Sequence, residues 1–277
     1  MWFIIGDLHL TDRAQDAYRF GIFEWIRKRQ VKTQPAATFL LGDLTDSKDR
    51  HSATLVNQIV SGLVSLKPPV YILKGNHDYT DPKNPFFKFL NHIEGLRFVT
   101  EPTVIKAGKS LAMIPHYRSQ NDFDDAVRLC ASNDPSTYLA HNTFEGALAE
   151  SGVRLSGLSA SLIESFKPPL GVYAGDVHRP QTQGIVTYVG CPYHVRFGDD
   201  FEPRCIEVSK SGDESYPYFD APRKWSLKVR GPENIINNPD LMEGDQVKLT
   251  IELAREESVE WKRIKQDLLA ACKENGP

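Results

Sequence analysis

Through residue 208 the chain repeatedly gathers apolar residues into short runs that break off at an acid, an amide or an imidazole. "WFII" gives way to "GDLHL" at 6–10; "FLLGDLTD" spans 39–46, "YILKGNHD" 71–78, "YLAHNTF" 138–144 and "VYAGDVH" 172–178. Runs of this length bounded by turn formers read as buried strands. Between them lie stretches with helical period: about 13–29, where Tyr18, Ile22, Trp25 and Ile26 share a face, then 52–66, 86–93 and 119–132. Strands are expected at 2–5, at 37–41, within "PPVYILKG", two or three times across 97–114 around a turn at Gly108, and at 137–140, 171–174, 185–189 and 204–208. Strands alternating with helices predict an α/β domain with parallel strands. Near "SGDESYPYFDAPRK" Gly, Pro and acids cluster and the pattern changes. Strands "WSLKVRG" and "QVKLTIELA" then precede a helix over 258–273, with Trp261, Ile264, Leu268 and Cys272 along one face. The change places a boundary near residue 215, giving a large domain over 1–214 and a small unit over 215–277 whose thin core predicts docking on the larger one.

In a fold of alternating strands and helices, the loops leaving the carboxyl ends of parallel strands gather on one edge of the sheet. The broken-off runs therefore bring Asp7, His9, Asp43, Asn76, His141, Asp176 and His178 toward one place. Gly6, Gly42, Gly75 and Gly175 precede the polar residues and permit sharp turns and close backbone approach. Carboxylate, amide and imidazole without thiolate suit Mn²⁺, Fe or Zn²⁺ in a hydrolytic site better than a structural zinc. Seven ligands exceed one tetrahedral ion but suit two ions sharing a bridging carboxylate. One Gly-Asp after a strand is usually only a turn; the conjunction is what points to chemistry. His116 in "LAMIPHYR" also follows an apolar run, but Pro115 makes that position a loop corner, so His141 is preferred. His51 and His92 read as solvated surface residues, and "WKRIK" at 261–265 as the wet side of a helix whose Lys and Arg could meet a DNA backbone.

Composition adds little. In 277 residues the net charge is −3, so no global positive field advertises a polyanionic partner, although bound cations would add local charge. Cys130, Cys191, Cys205 and Cys272 form no C-x-x-C pair and read as small hydrophobes or idle thiols in a reducing cytoplasm, that of a host if the chain is viral. The opening "MWFIIGDLH" is too short in apolar residues for a signal peptide or a membrane span.

"GDLHL", "GDLTD", "GNHD", the isolated His141 and "GDVH" together resemble the five signature motifs of the calcineurin-like metallophosphoesterase superfamily. Within it, "GDVHRPQTQGIVTYVGCPYHVRFGDD" and the small terminal unit resemble the SbcD-type DNA repair nucleases. That resemblance implies a four-layer α/β fold, a β-sandwich flanked by helices, with a small C-terminal α+β cap. It implies that Asp7, His9 and His178 hold one metal, Asn76, His141 and Asp176 another, with Asp43 bridging. His77 would touch the scissile phosphate and protonate the leaving oxygen, oriented by Asp78. The family usually has His where Asp176 stands, and many relatives carry a phosphate-contacting His where this chain has Asp46. His194 and Arg196, in the loop after "GCP", are further candidates for substrate contact, with a structural loop role as the alternative.

The resemblance further implies exonuclease and endonuclease activity on DNA with two divalent ions, chiefly Mn²⁺ and alternatively Mg²⁺, Fe or Zn²⁺, in repair, recombination or replication. Its implied partner is an SbcC-type, SMC-like ATPase attached through the cap or a homodimer face. Two rival readings are a phosphoesterase for phosphoproteins, cyclic nucleotides or small molecules, and a non-catalytic scaffold.

Overall fold

The computed structural model describes residues 1–229, 240–252 and 257–275. Its elements in chain order begin with β1 (Trp2–Ile5), a 3-10 turn (Ala14–Phe20), α1 (Gly21–Thr33), β2 (Ala37–Leu40), α2 (Ala53–Val64) and β3 (Val70–Leu73). A second 3-10 turn (Phe86–His92), β4 (Leu96–Val99), β5 (Thr103–Lys106), β6 (Ser110–Ile114), α3 (Gln120–Ala131) and β7 (Thr137–His141) come next. Then come α4 (Ser161–Phe166), β8 (Val172–Gly175), β9 (Gln181–Gln183), β10 (Val186–Tyr188), β11 (Ile206–Val208) and β12 (Glu214–Ser215). The last described elements are β13 (Lys224–Val229), β14 (Gln246–Ile251), a 3-10 turn (Glu257–Glu260) and α5 (Trp261–Asn275).

Two six-stranded mixed sheets form, ordered β12-β11-β1-β2-β3-β4 and β5-β6-β7-β8-β10-β9. Strands β1 to β4 run parallel, as do β6, β7, β8 and β10. The sheets face each other across one apolar layer: Trp2, Ile4, Phe39, Leu73 and Val99 meet Leu111, Met113, Leu139 and Tyr173. Alternate residues turn outward to the helices. Phe3 lies 5.7 Å from Trp25 of α1, and Ala112, Ile114, Tyr138 and Ala140 cluster with Phe123, Val127 and Cys130 of α3. Both faces of each central strand are thus covered, which is why these strands read as unbroken apolar runs instead of alternating ones. The helix expected from about residue 13 is a 3-10 turn up to Phe20 and an α-helix only from Gly21. The four-layer α/β sandwich is the fold of this chain.

The chain divides into two compact units, Met1–Pro192 with Phe201–Phe219, and Tyr193–Asp200 with Asp220–Pro277. The first carries all five loop motifs. The second takes in a stretch, Tyr193–Asp200, well before the boundary expected near residue 215. Its β13 and β14 pair in parallel over six positions, and Leu227, Leu249, Ile251 and Ile264 pack around Leu268. The side chain of Cys272 and the ends of the expected strands at Arg230–Gly231 and Leu253–Ala254 lie outside the described residues. Among the described residues no helix is long and apolar enough to cross a membrane.

Candidate metal centre

Loops from both sheets converge because their parallel strands end on the same edge. From the first sheet come Asp7 and His9 after β1, Asp43 after β2, and Asn76 and His77 after β3; from the second come His141, the last residue of β7, and Asp176 and His178 after β8. His9, Asp43 and Asp176 hold φ of 41°, 47° and 80°, the left-handed region that non-glycine residues seldom adopt. Such backbone persists only where its surroundings enforce it, and here the surroundings are visible. The buried Arg19 donates to the His9 carbonyl at 2.6 Å. The Asp78 carboxylate accepts from the backbone N–H of Asp43, Leu44 and Gly75 at 3.0, 3.1 and 2.7 Å, stapling the β2 and β3 loops together. Gly75 is required for the same approach, since a Cβ there would collide with Asp43 Oδ1.

The three imidazoles of the cluster share one orientation. His141 Nδ1 faces the Leu41 carbonyl at 2.5 Å, and its Nε2 meets Asn76 Oδ1 at 3.2 Å, Asp43 Oδ1 at 3.4 Å and Asp176 Oδ1 at 3.9 Å. His178 Nδ1 faces Glu150 Oε1 at 3.2 Å, while its Nε2 points at His9 Nε2 across 3.0 Å. His9 Nε2 is also 3.6 Å from Asp43 Oδ2, and its Nδ1 lies 3.8 Å from Asp46. Asp43 therefore stands between the two halves, one oxygen toward each. Asp176 reaches His141 with one oxygen and accepts from the Thr143 hydroxyl at 2.7 Å with the other. Asp7 accepts from the Asp176 N–H at 3.1 Å and lies 3.3 Å from His141 Nδ1.

This arrangement fits divalent cations. Ring nitrogens and buried carboxylates crowd within a few ångströms, and the Nε2 atoms of His9 and His178 face each other at 3.0 Å, close enough to bind one ion between them. Among the described residues, ligand atoms of Asp7, Asp43 and His141 lie within 4.8 Å of one another, as do those of His9, Asp46 and His77. The charge balance points the same way. Burial pushes the Asp7 carboxyl up to about 7, against the pull of His141. Burial also opposes ionisation of Asp43, but His141, by charge and hydrogen bond, with His9 and His77, holds it well below the ordinary carboxylate range. His141 is raised well above an ordinary imidazole despite its burial, because Asp43, Asp7 and Asp176 surround it. An imidazolium thus balances carboxylates that a divalent ion would balance better.

His77 sits beside this cluster. Its backbone N–H donates to Asp43 Oδ1 at 2.8 Å, its ring Nδ1 meets the Asp46 carbonyl at 2.8 Å, and the ring lies 5.1 Å from that of His9. The expected orientation of His77 by the Asp78 carboxylate is thus corrected: Asp78 holds loop backbone, and the Asp46 carbonyl holds the ring. Asp46 itself lies 3.5 Å from Arg13. His116, the rejected alternative to His141, accepts or donates at Tyr79 Oη, 2.9 Å from its Nδ1, with its ring 6.1 Å from that of His141. His51 is no solvated surface residue: it stacks on Phe86 at 4.3 Å and bonds Thr45 at 2.9 Å. His194 and Arg196 belong to the second unit, where buried His194 accepts from the Lys224 N–H at 3.3 Å and Arg196 is exposed, its N–H donating to Asp199 at 2.9 Å.

Arg19, Thr143 and Glu150 escaped sequence reasoning. Thr143 had a signal, standing two residues after His141; Arg19 and Glu150 lie on segments whose local pattern says nothing of the site.

The calcineurin-like phosphoesterase family matches residues 3–180, a span that contains all five loops. The chain belongs to that family. It is also similar to exonuclease subunit 1 of Enterobacteria phage T4, with 20% identity over 246 residues, covering 82% of this chain and 70% of that protein. Among solved structures, a novel archaeal phosphodiesterase aligns at 12% identity with a TM-score of 0.43, covering 79% of this chain and 99% of that one. As a metallophosphoesterase, the protein is a phosphoester hydrolase with His/Asp clusters suited to a dinuclear centre.

Proposed function

We propose that this phosphoesterase is a metal-dependent DNA nuclease of the SbcD type, cutting phosphodiester bonds as an exonuclease and endonuclease. The observation that carries the nuclease reading is the similarity to an exonuclease subunit over most of the chain, joined to a loop edge rich in ligand atoms. Asp7, His9 and His178 would hold one ion and Asn76, His141 and Asp176 the other, with Asp43 shared. Mn²⁺ is the preferred pair, and bound there it would supply Lewis-acid polarisation of the phosphate and an ionised water at neutral pH.

The chain's own groups do the rest. A carbonyl can only accept, so the Asp46 carbonyl requires a hydrogen on His77 Nδ1 and leaves Nε2 to carry the proton given to the leaving oxygen. Asp78 keeps His77 and Asp43 in register by clamping both loops. The second unit, with His194 and Arg196, would serve as a DNA-binding cap, and an ATPase of the SbcC type would gate access. That the similar phage protein is a subunit supports a partner.

Digestion of blunt duplex, hairpin and single-stranded DNA with Mn²⁺, Mg²⁺ or chelator, with products sized, tests the reading. Mn²⁺-dependent shortening from duplex ends and opening of hairpins is expected. Turnover of a chromogenic phosphodiester without any DNA cleavage would make the protein a small-molecule phosphoesterase instead.

A further inference from the structure

Resting on the metal-centre reading above, we infer that Glu150 is the positioning residue that prepares His178 for its metal, and that Gln181 holds Glu150 in place. Glu150 lies on the irregular segment between β7 and α4, where Leu148 and Arg154 pair across a tight hairpin. This hairpin is tied to the start of β9, three residues after His178. The Gln181 side chain donates to the Leu148 carbonyl at 2.7 Å and accepts from the Leu148 N–H at 2.8 Å, so one amide occupies both backbone groups as a neighbouring strand would. Arg179 adds a longer contact, Nη1 to the Glu150 carbonyl at 3.4 Å. The Arg and first Gln of "HRPQTQ" thus fasten the Glu150 loop beside the histidine that precedes them.

The fastened carboxylate then lies 3.2 Å from His178 Nδ1, with the Glu150 side chain only 25% exposed and that of His178 7%. A carboxylate has no hydrogen to give. At that distance the carboxylate favours the tautomer of the neutral imidazole with its hydrogen on Nδ1, which leaves the lone pair of Nε2 facing His9 Nε2. Two ring nitrogens that face away from the cluster have an oxygen beside them: the Leu41 carbonyl for His141 and Glu150 for His178. Of these, Glu150 is the one delivered by a separate hairpin.

Gln is the decisive substitution because it keeps the size of Glu but offers an N–H₂ as well as an oxygen. A side chain that merely fills space tolerates it. One that selects a tautomer does not, since the amide can donate to Nδ1 and leave the hydrogen on Nε2. Mn²⁺ titration followed by the electron paramagnetic resonance of the free ion measures binding directly, with no DNA present. The wild-type chain is expected to take up two Mn²⁺; Glu150→Gln and Glu150→Ala should each weaken one of them by roughly 10–100-fold. Gln181→Ala, with Glu150 intact but its hairpin released, should weaken the same ion by less. Long-range ¹H–¹⁵N spectra in chelator should show His178 protonated at Nδ1 in the wild type and a mixture of tautomers in Glu150→Gln. Unchanged Mn²⁺ affinity in Glu150→Gln would overturn the inference while leaving the metal centre standing. Failure of the wild type to bind Mn²⁺ would overturn both.

Discussion

His77 is the side chain whose position separates chemistry from metal holding. Its ring is fixed at Nδ1 by a carbonyl and stands beside the ligand cluster. His77→Ala should therefore lower the rate of phosphodiester cleavage by roughly 10²–10⁴-fold while metal content, read by elemental analysis, stays at two ions. Loss of an ion would make His77 a ligand. Asp176 offers the complementary case. With one oxygen on Thr143 and the other toward His141, it should tolerate His, the family's usual residue, with activity retained but the preferred cation shifted. Asp176→Ala should bind the second ion more weakly, and equal activity at limiting Mn²⁺ would remove Asp176 from the ligand set. Asp7 carries a pH signature. Between its ordinary 3.8 and about 7, the folded state holds this proton more tightly than the unfolded chain. The carboxyl's contribution to stability therefore declines as pH rises through that window. His141, raised above its ordinary value, pulls in the same direction, since its contribution is lost as pH climbs through the folded value. In chelator, the melting temperature of the wild type should fall relative to that of Asp7→Asn as pH rises from about 4 to about 7.

At the scale of elements, the site depends on loops held by backbone contacts. Asp78 satisfies three buried N–H groups from two loops, so Asp78→Ala should cost on the order of 3 kcal/mol in denaturant unfolding and take Mn²⁺ affinity with it. An unfolding midpoint within error of the wild type would mean that the loops hold their positions without it. How much of this is legible in the sequence varies with the physics. Strands covered on both faces announce themselves as apolar runs, and all seven expected ligands fall in one place because parallel strands deliver their loops to one edge. Short edge elements such as β9 and β12, and the one-and-a-half-turn α4, carry too few residues to show a period. The 3-10 turn before α1 resembles helix in sequence because Tyr18 shares the apolar spacing of Ile22, Trp25 and Ile26. Arg19 and Glu150 are invisible there because their roles arise from tertiary contacts, a guanidinium on the His9 carbonyl and a carboxylate carried in by a hairpin. Asp78 looks like a partner for its neighbour in sequence, whereas its oxygens serve amides 3 to 35 residues away.

For the whole molecule, a dinuclear centre hydrolyses whatever phosphodiester reaches it, so choice of substrate must come from surfaces around it. The net charge of −3 supplies no general attraction for DNA. Weak, distributive cleavage by the chain alone and ATP-regulated cleavage with an SMC-like partner are therefore expected. Co-purification with a candidate ATPase, followed by digestion with and without ATP, checks this, and absence of both complex and ATP effect would favour a stand-alone enzyme. Beneath that question lies DNA hydrolysis by two ions held in these loops. Its most direct test is to strip the chain with chelator and titrate Mn²⁺ back while following cleavage of end-labelled duplex and bound metal in the same samples. Cleavage should be absent at the start and rise as the second ion binds, and Asp43→Ala should lose both ions and the activity together. Cleavage that persists in chelator, saturates at one ion, or survives in Asp43→Ala would contradict the account.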